Sequence, residues 1–286
     1  MKILTAFSEG LSKSMRLPKI IVLLWVISLV GSLFVLAPLE RNIGEILDGY
    51  LVSELLYDGE DAVAYKDILH AILPTLSLFS FSFFLIGAIV FLLKTFITAG
   101  LFRVLMGNWL KRYKTGTLLK GADRGFPSFL FVSVATGLIL FLLIIILLLI
   151  PMLVAYINGA GSRLLDLILY CGLLLLFLTA PVVLLMADYA RVIITADKLI
   201  GPYRALVDGF RIVRTDLMKN WLIMAVFLAV SLIFIYIAMK ISPYSQASSG
   251  IRIIVLLILS QLFTFLNIWI KIVRYGTITA LYENSK

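Results

Sequence analysis

Six apolar runs divide this chain, at residues 20–39, 71–96, 128–157, 164–187, 221–239 and 251–270. Each is long enough to cross a hydrocarbon core that takes about 20 helical residues. Lipid offers the backbone no hydrogen-bond partner, so runs like these fold as helices. Stretches such as 138–150 carry no strand alternation. With 62% hydrophobic and 14% charged residues, against roughly 25% charged in soluble domains, the chain reads as an all-α integral membrane protein.

The charges between the runs are segregated by side. Of the 25 Lys and Arg, 20 cluster from Lys2 to Lys19, Lys94 to Arg124, Arg191 to Lys219 and Lys271 to Lys286. The other gaps hold Arg41, Lys66, Arg163, Lys240 and Arg252, and half of the acidic residues fall between Glu40 and Asp67. Lys and Arg resist translocation, so the basic gaps are expected in the cytoplasm, with both termini inside a bacterial inner membrane and six crossings between them. The first run ends at Val35, Leu36 and Ala37, which resemble a signal-peptidase site, yet Pro38 follows directly and favours an uncleaved anchor. A net charge of +9 would suggest nucleic acid in a soluble protein. Here anionic lipid headgroups are the nearer partner.

A single membrane domain, 1–286, is therefore expected, with a cytoplasmic elbow at 1–19, an acidic external loop at 40–70, basic cytoplasmic elbows at 97–127 and 188–220, and a cytoplasmic tail at 271–286. In the external loop Ile43, Ile46, Leu47, Tyr50, Leu51 and Leu55 recur at helical spacing between Glu45, Asp48 and Glu54, and a turn follows at 58–61. That pattern suits an amphipathic helix lying over the bundle mouth; the sharper reading is a docking face for an envelope protein.

Related segments precede each odd-numbered run: AFSEGL at 6–11, ADRGF at 122–126 and ALVDGF at 205–210. The exits of the even-numbered runs also match in kind, as TAGLFR at 98–103, MADYAR at 186–191 and YGTITAL at 275–281. We read three repeats, each an elbow helix followed by a transmembrane hairpin. An elbow of this composition lies in the headgroup plane, with Leu206, Phe210 and Val213 expected to share its apolar face. Its cations Arg204, Arg211, Arg214 and Lys219 are candidate anionic-lipid contacts, or they serve only to set helix tilt.

The segment ALVDGFRIVRTDLMKNW at 205–221 resembles the elbow-to-span signature of bacterial six-span membrane families, including the membrane domain of glycerophosphoryl diester phosphodiesterases. The resemblance covers the third elbow well, the second loosely and little of the acidic loop. It implies the elbow-and-hairpin fold. It carries over no catalytic residue, since the chain has no room for the soluble phosphodiesterase domain.

Polar groups inside hydrocarbon are costly, so each is either helix glue or part of a path. Ser260, Thr264, Asn267 and Lys271 follow at i, i+4, i+7 and i+11 on the sixth run, with Gln261 close by. As glue this stripe bonds neighbouring helices at roughly 0.6 kcal/mol per pair. As a path it lines a hydrated cavity, which would make the protein a small-molecule permease or channel; glue is favoured because no acidic group sits opposite at mid-depth. Ser28 with Ser32, and Ser133 with Gly137, suit close helix contact. Pro151 and Pro181 are expected to bend their helices, Asp188 and Arg191 to form a boundary ion pair, and Trp25, Trp109, Trp221 and Trp269 to sit near interfaces.

No cofactor or metal is expected: His70 and Cys171 are single residues without neighbouring ligands at metal-binding spacing. The sequence carries no P-loop, zinc motif or nucleophile elbow, which argues against an enzyme. The expectation is a lipid-interacting or accessory component of an envelope assembly.

Overall fold

The computed structural model describes residues 3–49, 62–107, 115–159, 161–197, 199–241 and 250–284. Among them every regular element is helical. The order is α1 (Ile3–Met15), α2 (Pro18–Gly49), α3 (Ala62–Leu105), α4 (Thr115–Ile144), a π-helical turn (Ile145–Leu149), α5 (Ile150–Ile157), α6 (Ser162–Ala196), α7 (Pro202–Thr215), α8 (Leu217–Ile241) and α9 (Gly250–Glu283). Five stretches of described residues are long and apolar enough to cross a membrane: Pro18–Val35, Phe79–Leu105, Gly116–Ile157, Ser162–Ala196 and Leu217–Phe234. They coincide with the first five apolar runs. The sixth run lies on α9, whose side chains are described from residue 258 onward.

Several of the described helices are longer than a bilayer needs. At 44 residues α3 measures about 66 Å, more than twice a hydrocarbon core of about 30 Å. The described part of the expected amphipathic loop helix, as far as Gly49, is continuous with the first span, because α2 runs through Pro38. Tyr50, Leu51, Leu55 and the turn at 58–61 lie outside the described residues, as do Trp109, Lys111, Arg112, Lys114 and Lys198.

The chain divides into two compact units, residues 23–94 and residues 1–22 with 95–286. In the first, Gly31 approaches Val90 so closely that a Cβ there would stand 2.5 Å from Val90 Cγ2. Large apolar side chains crowd its surface, with Phe84 72% and Phe81 69% exposed. In water such surface would be costly; against lipid tails it is neutral, which is why a spanning helix tolerates it.

In the larger unit the core sits at the basic ends of the helices. Phe102, Leu101 and Val104 of α3, Leu118, Ala122 and Phe129 of α4, and Ile272, Ile278 and Ala280 of α9 are all sealed there. Three close approaches organise that layer. In α1, Gly10 lies against α9, where a Cβ on Gly276 would stand 3.0 Å from Gly10 Cα. At the start of α4, Gly121 faces α3, where a Cβ would meet Arg103 Cβ at 2.8 Å. In α7, Gly209 faces α6, where a Cβ would meet the Met186 carbonyl at 2.6 Å. Absence of a side chain is what lets each backbone pair come this near.

The elbows differ in their joints. Arg16 and Leu17 separate α1 from α2, and Asp216 alone separates α7 from α8, whereas the second elbow is continuous with its span because α4 carries Pro127 inside one unbroken helix. Pro151 acts differently from a simple bend. It lacks the N–H that would reach Leu147, and the preceding residues widen into a π turn in which Ile150 N–H bonds Ile145 O. The Leu147 carbonyl then lies against Gly172 of α6. Gly159, at φ +72°, makes the turn between α5 and α6. Gly137, expected at a tight helix contact, has open space around it.

Candidate functional site

Asp188 and Arg191 are three residues apart on α6, so their side chains share a face. Arg191 Nη1 donates to Asp188 Oδ1 at 2.7 Å, and Arg191 Nη2 donates to Ser133 Oγ of α4 at 3.1 Å. Arg274 of α9 completes the cluster, its Nε 3.0 Å from Asp188 Oδ2 without the alignment of a hydrogen bond. The Asp188 side chain is fully buried and both guanidiniums are 12% exposed. One carboxylate therefore holds two cations among three helices. The Arg274 guanidinium also lies 5.1 Å from the centroid of the Tyr275 ring, which packs on Phe102, itself edge-on to Phe129. The next residue in α6, Tyr189, donates to Asn220 Oδ1 at 3.1 Å, and Asn220 Nδ2 reaches the Ile212 and Val213 carbonyls, each at 3.4 Å, at the end of α7.

On α7 the buried face is Ala205, Leu206, Gly209 and Val213, packed on α6. Phe210 is not on it. It is 45% exposed and, with Val207 and the 72%-exposed Tyr203, forms an apolar strip at i, i+4 and i+7 on the outside of the helix. Gly209 takes the core position because α6 backbone lies too near for a ring. Arg204, Arg211, Arg214 and Lys219 are all exposed. Arg211 pairs with Asp208 at 3.4 Å and Lys219 with Asp216 at 3.2 Å.

The stripe residues of α9 are spread over different environments. Ser260 and Lys271 are exposed, and Gln261, Thr264 and Asn267 are half-buried. Thr264 Oγ1 donates to its own helix, at Ser260 O, 2.9 Å away. The Gln261 Oε1 and Asn267 Oδ1 atoms are buried with no hydrogen-bond partner. Lys271 Nζ lies 5.9 Å from the Tyr275 ring centroid. Trp221 donates from Nε1 to Leu178 O of α6 at 2.9 Å, one turn before Pro181.

A further set of cations escaped notice as a site in the sequence. Arg103 of α3 with Lys120 and Arg124 of α4 line a cavity of about 580 Å³ that also reaches Ser128, Phe129 and Thr195. Sequence spacing shows that Lys120 and Arg124 share a face of α4; nothing local could have placed Arg103 beside them. No family model, curated protein or solved structure matches this chain.

Proposed function

We propose that this chain is a non-enzymatic, six-span protein of the bacterial inner membrane, with both termini cytoplasmic, built as three elbow-and-hairpin repeats and engaging anionic lipid headgroups through its elbow layer. The observation that carries the reading is α7. It is too short to span a bilayer, seats one face on α6, and turns Tyr203, Val207 and Phe210 outward beside Arg204, Arg211 and Arg214. A helix so arranged sinks rings into the acyl boundary while guanidiniums meet phosphates. The repeat is supported by the cyclic order of the small-residue contacts: the second elbow meets the exit of the second run, the third elbow that of the fourth, and the first elbow that of the sixth.

The protein then serves as a lipid-interacting or accessory component of an envelope assembly, with the acidic segment at 40–70 as the face offered to an envelope partner. Native mass spectrometry of the purified protein tests the lipid contact. Arg204→Gln, Arg211→Gln and Arg214→Gln together should lower the total number of anionic-lipid adducts at low collision energy; a wild-type number would sink the proposal. A second reading, a small-molecule permease, is favoured by the buried unpartnered Gln261 and Asn267 oxygens, which suit a hydrated seam along α9. Uptake and export unchanged in a folded Ser260→Ala, Thr264→Ala, Asn267→Leu variant would remove it.

A further inference from the structure

Three cations that converge without a carboxylate repel one another, and an arrangement of that kind persists where an anion offsets it. Arg103, Lys120 and Arg124 stand in this relation around their cavity, and among the described residues no Asp or Glu lines it. The convergence is built into the backbone. Lys120 and Arg124 are one turn apart on α4, and the Gly100–Leu118 and Gly121–Arg103 approaches press α3 against that turn, which brings the third cation in. Arg103 is steered by its Nη1 bond to the Thr195 carbonyl of α6, at 3.3 Å. The hydroxyl-bearing Ser128 and Thr195 add polar groups to the wall, and Phe129 gives an apolar one.

We infer that this cavity is a discrete binding site for one phosphate-bearing ligand, held by Arg103, Lys120 and Arg124. Guanidinium and ammonium groups together suit a tetrahedral phosphate, the first by paired donors and the second as a point charge. A volume of about 580 Å³ falls within the roughly 300–1,000 Å³ of small-molecule sites, ample for a phosphate with its esterified glycerol. The phosphate could be that of a lipid headgroup or a free phosphate ester. The inference rests on the reading that the elbow layer engages anionic headgroups, and it assigns to the second elbow a single saturable site apart from the open surface of α7.

The test uses the full chain in nanodiscs of zwitterionic lipid with a small fraction of phosphatidylglycerol, released into native mass spectrometry at rising collision energy. One phosphatidylglycerol should survive after the rest have dissociated. Neutralising the cavity with Arg103→Gln, Lys120→Gln and Arg124→Gln should lower that last adduct at least tenfold, and the α7 triple variant should keep it. Lys120→Arg alone, which keeps the charge, should retain it. If the triple variant fails to fold, single Lys120→Gln and Arg124→Gln, both exposed positions, should each lower the adduct several-fold. Glycerol 3-phosphate or inorganic phosphate, added at millimolar concentration, separates the two sources. Displacement of the adduct by either identifies a free phosphate as the ligand, and survival identifies the lipid; both support the site. An undiminished adduct in the cavity variants overturns the inference, while its loss from the α7 variant alone would leave the elbow reading standing. Wild-type adduct numbers in every variant, at low and at high collision energy, would overturn both.

Discussion

Arg274 Nε stands 3.0 Å from Asp188 Oδ2 and so joins the last helix of the chain to α6 through a carboxylate that Arg191 already occupies from the other side. A buried ion cluster adds little net stability when complete, yet removing one partner leaves unpaired charge in a low-dielectric core. Asp188→Ala strands two guanidiniums and should destabilise the fold by about 3–5 kcal/mol, read as a lowered thermal transition in detergent. Asp188→Asn, which keeps shape but not charge, should fall at nearly the same cost. A wild-type transition in both variants would show that the carboxylate is dispensable.

Gly209 and Gly137 offer a paired comparison on two helices. A side chain at Gly209 meets α6 backbone, so Gly209→Val should cost about 1–3 kcal/mol by overpacking. Gly137 has open space, and Gly137→Ala should leave the thermal transition unchanged or raise it slightly. Equal effects at the two sites would contradict the close approach of α7 to α6.

Tyr189→Phe removes only the hydroxyl that bonds Asn220, and should cost about 0.5–1.5 kcal/mol. Asn220→Ala should cost more, because two carbonyls at the end of α7 lose their donor as well. The order of the two transitions is the measurement; a reversal would mean that Asn220 does not hold the α7–α8 joint.

Sidedness is open to direct chemistry. In a Cys171→Ser background, which removes the native exposed thiol, Ser8→Cys and Glu283→Cys should resist a membrane-impermeant maleimide in intact cells and label once the membrane is opened. Tyr50→Cys should label in intact cells. Labelling of Ser8→Cys from outside would invert the topology.

The helices were legible in the sequence wherever apolar length decides, since a lipid-exposed backbone has few other conformations. The Asp188–Arg191 pair was legible too, because three residues of helix put both side chains on one face. Arg274 was not. Its place beside Asp188 depends on how α9 crosses α6, which no local window contains. Phe210 was assigned to the wrong face because hydrophobicity alone ranks it with Leu206 and Val213, whereas the close α6 backbone selects Gly209. The π turn before Pro151 was likewise hidden, since a missing N–H predicts a defect without saying which form it takes. The cavity cations come from two helices, and only the glycine-mediated approach between α3 and α4 makes them one group.

The contact of Gly10 with Gly276 sets an order of assembly. The segment around Gly10 is made well before the one it docks on, so at about 5–20 residues per second it waits on the order of 15–60 s for its seat to be synthesised. Throughout that interval the helix holding Gly10 has only the lipid surface, or a chaperone, to rest on. Removing the segment that holds Gly276 would therefore unfasten the helix that holds Gly10 as well.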